Sequence, residues 1–409
     1  MATITRHKVE FSSWVVLMVL FWATGIVESQ SWTQFGAFTP LYLQQLGVRS
    51  HDVPNWVAAM AALSSLIGIP LAPFWGVLAD RYSRKAVIVR SAVVEAILFL
   101  GWAYAQDPWT ALAFRALSGF VLGNTGVMLA VQASVTPRER LGLAVGVIGA
   151  GGPAGAAVGP LLGAGLIHLG GIRGMLLADA VASVAIAVLL TILIREPVRE
   201  KAKDLHPLAA LAGALRFIGG STWVWRLFLA TFLALAASWI CRPLLPILIA
   251  RQAGPQHFDS TTAIGVVLTT MALAQALASP FWGRLVDRFG AVRVLVASSV
   301  VGALALAGAA VATDLRLLGM LLTLFGAASG AAAITNMALL ARIVPDERRG
   351  SVLGLIYFPF YAAGLVGPPI GAVLFPGGQA VLLLASAVAT LLPLAVVYTL
   401  RRVPFPTPQ

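Results

Sequence analysis

Charge is scarce in this chain. Only 11% of its 409 residues are Asp, Glu, Lys or Arg, whereas soluble globular domains carry about 25%. The single cysteine, Cys241, excludes an intrachain disulfide. The sequence also has no glycine-rich phosphate loop followed by lysine, no metal-ligand spacing of His, Cys and acids, and no nucleophile-and-base arrangement. These absences argue against direct use of ATP, a metal cofactor and an enzymatic activity, so no cofactor is expected.

Apolar residues, in contrast, are abundant. They make up 59% of the chain, so it cannot cover itself with polar surface in water, and a lipid bilayer is its predicted solvent. Because a membrane helix needs about 20 apolar residues, the apolar runs predict an all-α membrane protein with twelve transmembrane helices. The predicted spans are 12–43, 55–79, 86–106, 109–134, 141–168, 172–194, 223–250, 261–285, 292–312, 315–341, 350–375 and 378–400. No small-residue cleavage site follows the basic N-terminus, so the first run predicts a helix and not a signal peptide.

The longest polar stretch, residues 195–207, lies at the midpoint of the chain. It predicts an N-terminal six-helix half over 1–194, a linker over 195–222 and a C-terminal six-helix half over 223–409. Within the linker, 208–218 predict a short amphipathic helix on the membrane surface. Four connections have the composition of clear turns, at 49–54, 106–108, 170–171 and 376–378.

The basic residues predict the orientation in the membrane. If the N-terminus lies in the cytoplasm, 22 of the 28 Lys and Arg residues fall on the cytoplasmic side, four on the outer side and two within helices. This asymmetry places both termini in the cytoplasm and the protein in the cell membrane. The net charge of +12 is spread between apolar segments and forms no groove-binding helix or aromatic-basic sheet, which argues against nucleic acid as a partner.

One passage occurs twice. Residues 72–89 read APFWGVLADRYSRKAVIV and residues 279–296 read SPFWGRLVDRFGAVRVLV, a shift of 207 positions. A second pair is shifted by 208 positions, so that Pro137, Glu139, Arg140, Gly142, Gly146, Gly159, Pro160 and Gly163 recur as Pro345, Glu347, Arg348, Gly350, Gly354, Gly367, Pro368 and Gly371. Two copies of one plan in apolar sequence predict two parallel repeats around a central pathway.

The repeated loop and the fifth predicted helix carry a family resemblance over nearly the whole chain. The loop motif after the second predicted helix consists of Gly76, Asp80, Arg81, Arg84 and Lys85, and its second-half copy of Gly283, Asp287 and Arg288. The fifth predicted helix carries Gly146, Gly155, Gly159, Pro160 and Gly163. These motifs resemble the major facilitator superfamily, and the fifth helix resembles its drug:proton antiporter branch. Arg115, Gly119 and Gly123 on the fourth predicted helix resemble the family's arginine motif. Departures from the family pattern are Ser83 for a glycine in the loop, Ala164 for the final glycine of helix five and Ser118 for a glutamine in the arginine motif.

The resemblance implies a major facilitator fold, in which the first-half loop lies near the start of helix eleven and the second-half loop near the start of helix five. Because helix N-termini favour anions, Asp80 and Asp287 would then latch the two halves on the cytoplasmic side. The alternative is that both acids only form turns and set orientation. The resemblance also implies that the small residues of helix five pack against the other half. Ordinary tight packing explains part of that pattern.

Buried charges in the predicted helices are the candidates for proton coupling. In the family fold, helices one, four, seven and ten line the cavity, so Glu28 on helix one is the candidate proton site and Arg115 on helix four its modulator. The alternative is a permanent Glu28–Arg115 pair that only holds two helices together. Glu95 and Asp179 fall on helices three and six, which are peripheral in the family. They are predicted to make structural hydrogen bonds or to lie near an interface.

Polar and aromatic residues of the cavity-lining helices and of helix eleven are candidates for substrate contact. Arg242 is predicted either to contact an anionic substrate or to extend toward the outer headgroups. Each of the other polar candidates either lines the pathway or bonds a neighbouring helix. The candidate substrate-cavity residues are Gln30, Gln34, Asn124, Trp239, Arg242, Asn336, Tyr357 and Tyr361.

The predicted function is that of a secondary transporter, which exports lipophilic or amphipathic small molecules in exchange for protons by alternating access. An alternative cargo is a lipid, a sugar or another metabolite, moved by the same fold, with inward symport as one form of this alternative. A non-transporting membrane sensor and a membrane-embedded enzyme are alternatives of other classes. The predicted partners are a small-molecule substrate, protons and the lipid bilayer, and the chain is expected to be a monomer.

Overall fold

A computed structural model describes residues 14–81, 83–121, 124–194, 216, 219–220, 222–343 and 357–400. Within these ranges, the side chains of 72–81, 332–334, 336–343, 357 and 400 are not described. Nearly all of the predicted linker, with its amphipathic helix, therefore lies outside the described residues.

The described chain is built from long apolar helices, and the prediction of a twelve-helix membrane protein is confirmed. We number the membrane segments α1 to α12 in chain order, and α5 and α6 together form the continuous stretch Leu141–Leu193. The other segments are α1 Trp14–Gln45, α2 Val53–Arg81, α3 Arg84–Tyr104, α4 Pro108–Val135, α7 Thr222–Gln256, α8 Ser260–Phe289, α9 Ala291–Val311, α10 Leu315–Ile343, α11 Tyr357–Leu374 and α12 Gly378–Leu400. The predicted boundaries are right to within a few residues wherever the structure describes both ends.

Glycine and aspartate set the tight connections. Gly171 has φ 67° and ψ −177°, a conformation that L side chains rarely adopt, and it separates α5 from α6 at the predicted 170–171 turn. Asp107 accepts hydrogen bonds from the backbone N–H groups of Trp109 and Thr110, so it caps α4 just before Pro108. These residues hold consecutive membrane helices antiparallel with very short loops.

Two segments are interrupted where the sequence predicted continuous helices. In α4 the chain tightens into a 3₁₀ turn over Leu117–Phe120, where Gly119 meets Ile67 and Leu71 of α2. In α7 a 3₁₀ turn spans Arg242–Leu244, because the ring of Pro243 is incompatible with the regular helical hydrogen-bond ladder. The uninterrupted spans 109–134 and 223–250 are thus corrected. Both breaks lie next to an arginine, Arg115 and Arg242 respectively.

The two sequence repeats pack in the same way. α1 lies against α5 and α6, and correspondingly α7 lies against α11 and α12. Between the halves, α2 packs against α11 and α5 against α8. Each half thus supplies one partner to each of these two contacts, as a pseudo-two-fold arrangement requires.

The buried core differs between the two ends of the bundle. We call the end that carries residues 82–83, 136–140 and 290 the linker end, and the other end the distal end. At the distal end one continuous buried cluster includes Phe38 and Leu43 of the first half together with Leu244 and Ile264 of the second. At the linker end, among the described residues, the buried clusters around Phe21 and around Val294 each lie within one half. Among the described residues, the halves are therefore joined at the distal end.

Candidate functional site

Glu28 lies near the middle of α1 and faces α4. Its Oε2 accepts a hydrogen bond of 2.7 Å from Nδ2 of Asn124. Asn124 is buried, and it begins the second part of α4 after the 3₁₀ turn. The structure thus brings the predicted proton site together with one predicted cavity residue.

Arg115 occupies an aromatic cage about one turn away along α1. Its guanidinium carbon lies 4.9 Å from the ring centroid of Trp32, 5.7 Å from that of Phe35 and 5.9 Å from that of Trp102. Its Nε donates to the carbonyl of Met60 at 3.3 Å, and Nη1 is buried without a hydrogen-bond partner. The structure as described contains no ion pair between Arg115 and Glu28, so a permanent pair is not the arrangement seen here.

A second polar group on α1 faces α6. Oδ1 of Asp179 accepts hydrogen bonds from Oγ of Ser31 and from Nε2 of Gln34, both at 3.0 Å. Glu95 of α3 is the third acid of this region, and its charged neighbours are Glu28 and Asp179. Gln34 is a predicted cavity residue, yet it is fully buried between helices. The expectation that Asp179 makes structural hydrogen bonds agrees with these contacts, but the convergence of three acids was not anticipated.

The sequence contained a signal for this convergence. Glu28, Glu95 and Asp179 are acids in the interior of otherwise apolar membrane helices. A charge there is costly whichever place the helix takes in the family fold. Assigning helices three and six to the periphery separated residues that the packing of α1 on α6 brings together.

Arg242 of α7 points into the second half. Its Nη2 donates to Oε1 of Gln275 and to Oγ of Ser329, both at 2.9 Å, and its guanidinium lies 6.0 Å from the ring centroid of Phe325. It therefore contacts α8 and α10 and does not extend toward the headgroups. Its Nε is buried and has no hydrogen-bond partner.

Of the remaining predicted cavity residues, some lie in an aromatic group near the contact between the halves and one is buried within the first half. The ring of Trp239 lies 5.6 Å from that of Phe360, and Phe360 lies 5.6 Å from Tyr361. Tyr361 packs on Gly68 of α2, so this aromatic group reaches the contact between the halves. Gln30 is buried, and its Nε2 lies 3.5 Å from Oγ of Ser31. The side chains of Asn336 and Tyr357 lie outside the described residues.

The two repeated loops are described to different extents. Gly76, Asp80 and Arg81 end α2, in the stretch whose side chains are not described, so the first latch stays a prediction. Arg84 and Lys85 begin α3, where Ser83 accepts a hydrogen bond from the backbone N–H of Ala86 and caps the helix. This capping gives a physical role to the serine that replaces the family glycine. Lys85 donates to the carbonyl of Thr191 at 2.6 Å.

The second-half loop does not hold the halves together in this arrangement. Asp287 and Arg288 are exposed at the end of α8, and nothing contacts Gly283 at the position of a Cβ. Within the described ranges, no hydrogen bond or ion pair joins Asp287 to the start of α5. The role of Asp287 as a latch therefore stays a prediction.

The small residues of α5 face α1 of the same half. A Cβ added at Gly155 would collide with the carbonyl oxygen of Ile26, and one at Gly159 with Oγ1 of Thr33. Gly163 lies against Phe38 and Gln34, whereas Gly146 has open space at its Cβ position. The implied packing of these glycines on the other half is therefore not observed. The glycines let α1 and α5 approach closely.

The contact of α5 with the other half is made by neighbouring residues at the distal end. Pro160 and Ala164 face Gly265 of α8, where a Cβ would lie 2.8 Å from that of Ala164. The backbone N–H of Leu161 donates to Oγ1 of Thr269 at 3.1 Å.

His168 adds a polar contact between the halves, on the distal side of the contact between Leu161 and Thr269. Nε2 of His168 lies 3.2 Å from Oδ2 of Asp259 and 3.1 Å from Oγ1 of Thr262. Burial acts to raise the pKa of Asp259, but hydrogen bonds from Thr262 and the charge of His168 outweigh it and hold the pKa below its usual range. The carboxylate thus contributes at neutral pH and loses its contribution as the pH falls through that lowered pKa. Both side chains are half exposed, so the pair is weak.

These features define a two-fold helical membrane transporter, and comparison with known proteins agrees. The family model described as Major Facilitator Superfamily matches residues 14–227 and 227–409. The chain belongs to this superfamily, and it is accordingly a transport protein and not an enzyme.

Its curated relatives include two bacterial proteins of one name. Multidrug resistance protein MdtG of Enterobacter lignolyticus is 29% identical over 88% of this chain and 86% of its own length. Multidrug resistance protein MdtG of Serratia proteamaculans is 29% identical over 88% of this chain and 87% of its own length. Both alignments span most of the two six-helix halves.

Solved structures share the fold at lower identity. The nucleoside transporter NupG superposes with a TM-score of 0.76 at 16% identity, covering 96% of this chain and all of its own. An inward-facing, occupied bacterial homologue of the lysosomal transporter Spinster has a TM-score of 0.75 at 14% identity, covering 97% of this chain and 98% of its own. These likenesses concern the fold alone.

Proposed function

We propose that this protein exports lipophilic or amphipathic small molecules in exchange for protons, with Glu28 as the proton-carrying residue. The observation that carries the proposal is the carboxylate of Glu28, placed in the middle of α1 with Asn124 as its hydrogen-bond donor and with no ion-pair partner in the described part of the chain. A carboxyl group in such a place can take up and release a proton, because no ion pair holds it ionised.

The position of Arg115 supports a modulating role. The aromatic rings of Trp32, Phe35 and Trp102 stabilise its charge without neutralising it. Trp32 follows Glu28 by about one turn of α1, so the guanidinium that contacts its ring is a positive charge in the same region of the bundle, without an ion pair to the carboxyl group. When Glu28 loses its proton, this charge favours the ionised form and helps to delay reprotonation until substrate enters.

The nature of the cargo is inferred from aromatic surface and from relatives. Trp239, Phe360 and Tyr361 present rings close to the contact between the halves, which suits a lipophilic or amphipathic molecule. The two relatives described above are named multidrug resistance proteins, which favours export. Location in the cell membrane with both termini in the cytoplasm and a monomeric state complete the proposal.

The test is dye efflux from liposomes that contain the purified protein, under an imposed pH gradient. We expect the wild-type protein to move a lipophilic cation only when the gradient is present, and the Glu28→Gln variant to lose gradient-driven transport. Asp52→Asn is the matched control, because Asp52 forms a surface ion pair with Arg49 and removal of an acid there leaves the pathway intact. This control should transport like the wild type.

Two results would contradict the proposal in different ways. Equal gradient-driven transport by wild type and Glu28→Gln would show that the coupling proton binds elsewhere. No transport of any lipophilic dye by the wild type would remove the drug-export part, and lipids, sugars and small metabolites would then be assayed in both directions.

A further inference from the structure

We propose that Glu95 and Asp179 form a second proton-binding site, which holds an exchangeable proton in the arrangement described here. The proposal extends the proposed proton coupling, but its test does not require transport. Both carboxyl groups lie inside the bundle, with Glu95 4% and Asp179 1% exposed. They come from α3 and α6, and α1 covers them from the side of Ser31 and Gln34.

The hydrogen bonds of this group leave acceptors without donors. Ser31 and Gln34 both donate to Oδ1 of Asp179, so Oδ2 receives none. Oε1 of Glu95 and Oε1 of Gln34 are also buried without a hydrogen-bond partner. Ser183 of α6 and Trp32 of α1 are the side-chain donors that face the carboxyl group of Glu95, although Oγ of Ser183 forms no hydrogen bond of normal length. Three acceptor oxygens thus lack a donor within hydrogen-bond distance in the group as described. Buried acceptors without donors are costly.

A bound proton supplies the missing hydrogen-bond donor. Protonation turns one carboxyl oxygen from an acceptor into a donor, which can serve Gln34 or the other carboxyl group. It also removes one of two negative charges that cannot both be accommodated cheaply in an apolar interior. One proton held on Glu95 or on Asp179 therefore improves both the hydrogen bonding and the electrostatics.

The charged groups around the site offer no substitute for that proton. From α1, Glu28 faces Glu95 and adds a third negative charge. From α4, Arg115 lies over the ring of Trp32 and bonds Met60, and its charge is directed into the aromatic cage. Arg90 is on α3 itself, more than one turn nearer the linker end. The charged neighbours of Glu95 are thus both acids.

The site is mechanically connected to Glu28 through α1. Ser31 and Gln34 follow Glu28 by three and six residues, so the helix that carries the first proton site also carries both donors to Asp179. Any movement of α1 that accompanies proton exchange at Glu28 changes the hydrogen bonds of Asp179. This connection gives a path by which the two sites affect each other.

The experiment is infrared spectroscopy of the purified protein in lipid, measuring the carbonyl stretch of protonated carboxyl groups at neutral pH. The Glu28→Gln variant is the starting point, because in the described membrane segments Glu95 and Asp179 are then the acids left inside the bundle. We expect a protonated-carboxyl band that shifts in heavy water, and we expect it to disappear in the triple variant Glu28→Gln, Glu95→Gln, Asp179→Asn. These amides keep the shape of the side chains, and binding of the protein to a hydrophobic dye checks that the variants are folded.

Three outcomes would overturn the inference. Absence of the band in Glu28→Gln at neutral pH would mean that both carboxyl groups are ionised and that ordered water supplies the donors. Persistence of the band in the triple variant would place the proton elsewhere. Loss of the band on adding sodium at constant pH would identify a metal cation, and not a proton, as the ligand. None of these depends on whether the protein exports drugs.

Discussion

At the scale of single residues, the environment of Arg115 is the most unusual in the first half. A cation inside a membrane helix ordinarily pairs with an acid, but this guanidinium is surrounded by the rings of Trp32, Phe35 and Trp102. The rings of Phe35 and Trp102 are stacked at 3.8 Å with an interplanar angle of 9°, so the cage is itself rigid. The positive charge is thereby held near Glu28 without an ion pair to it.

Substitution of the cage tests this interpretation. We expect Trp32→Leu to lower the free energy of unfolding by about 2 kcal/mol, because a desolvated cation–π contact and two aromatic contacts are lost. Equilibrium denaturation in detergent would measure the change. Trp225→Leu is the control, since Trp225 is exposed on the surface of the bundle and should unfold like the wild type. An equal loss in both variants would contradict a special role for the cage.

At the scale of elements, the packing of α5 on α1 decides the position of the candidate proton site. The residues of α5 that touch α1 recur every fourth position at Gly151, Gly155, Gly159 and Gly163. Since they have no side chains, the backbone of α5 reaches the backbone of α1, and α1 is held with Glu28 turned toward α4. The same relation recurs in the second half, where Gly367 and Gly371 of α11 contact α7.

A single methyl group tests the close contact. We expect Gly155→Ala to destabilise the protein by about 1–3 kcal/mol, because its Cβ would collide with the backbone carbonyl of Ile26, which cannot move aside as a flexible side chain can. The free energy of unfolding in detergent is again the measurement. Gly149→Ala, in the same helix with open space at its Cβ position, should be close to neutral. If the two variants are equally stable, the glycines of α5 are not needed for close packing.

At the scale of the whole molecule, the two halves are joined at the distal end and separate within the described part of the linker end. Alternating access requires that the distal contact opens during the cycle. The contact of α5 with α8 at Leu161 and Thr269, which we call the seam, is part of this distal contact. It is a place where a covalent bond would prevent opening.

Cross-linking tests whether the seam moves. The variant with Leu161→Cys and Thr269→Cys should form a disulfide on oxidation, because the backbone N–H of Leu161 lies 3.1 Å from Oγ1 of Thr269 and the two helices are therefore close at this point. Transport should then fall to background and recover on reduction, as measured in liposomes. Each single-cysteine variant, oxidised in the same way, is the control, and the native Cys241 is fully buried. Undiminished transport by the cross-linked protein would show that this seam stays closed throughout the cycle.

Particular residues show where sequence reasoning succeeded and where it did not. The twelve segments and the turn at Gly171 followed from local properties, since apolar length and glycine composition act within one helix or one loop. The hydrogen bond between Glu28 and Asn124 could not be predicted from the sequence, although both residues were candidates. Which residues of two helices meet depends on how each helix is rotated about its own axis. The facing of the α5 glycines was misjudged for the same reason: spacing shows that they share a face, but not which helix covers that face.

From the sequence alone it follows that this chain lies in a membrane, that it has two repeated halves, and that Glu28 and Arg115 are charges inside its helices. These properties depend on composition and on order along the chain. The packing of the helices, by contrast, places Arg115 among aromatic rings, makes Glu95 and Asp179 charged neighbours, and closes the halves at the distal end. Such contacts join residues that are far apart in the sequence, by 148 positions for Ser31 and Asp179 and by more for Gly68 and Tyr361. In a bilayer they are selected by close packing and hydrogen bonding between helices, which no local pattern encodes.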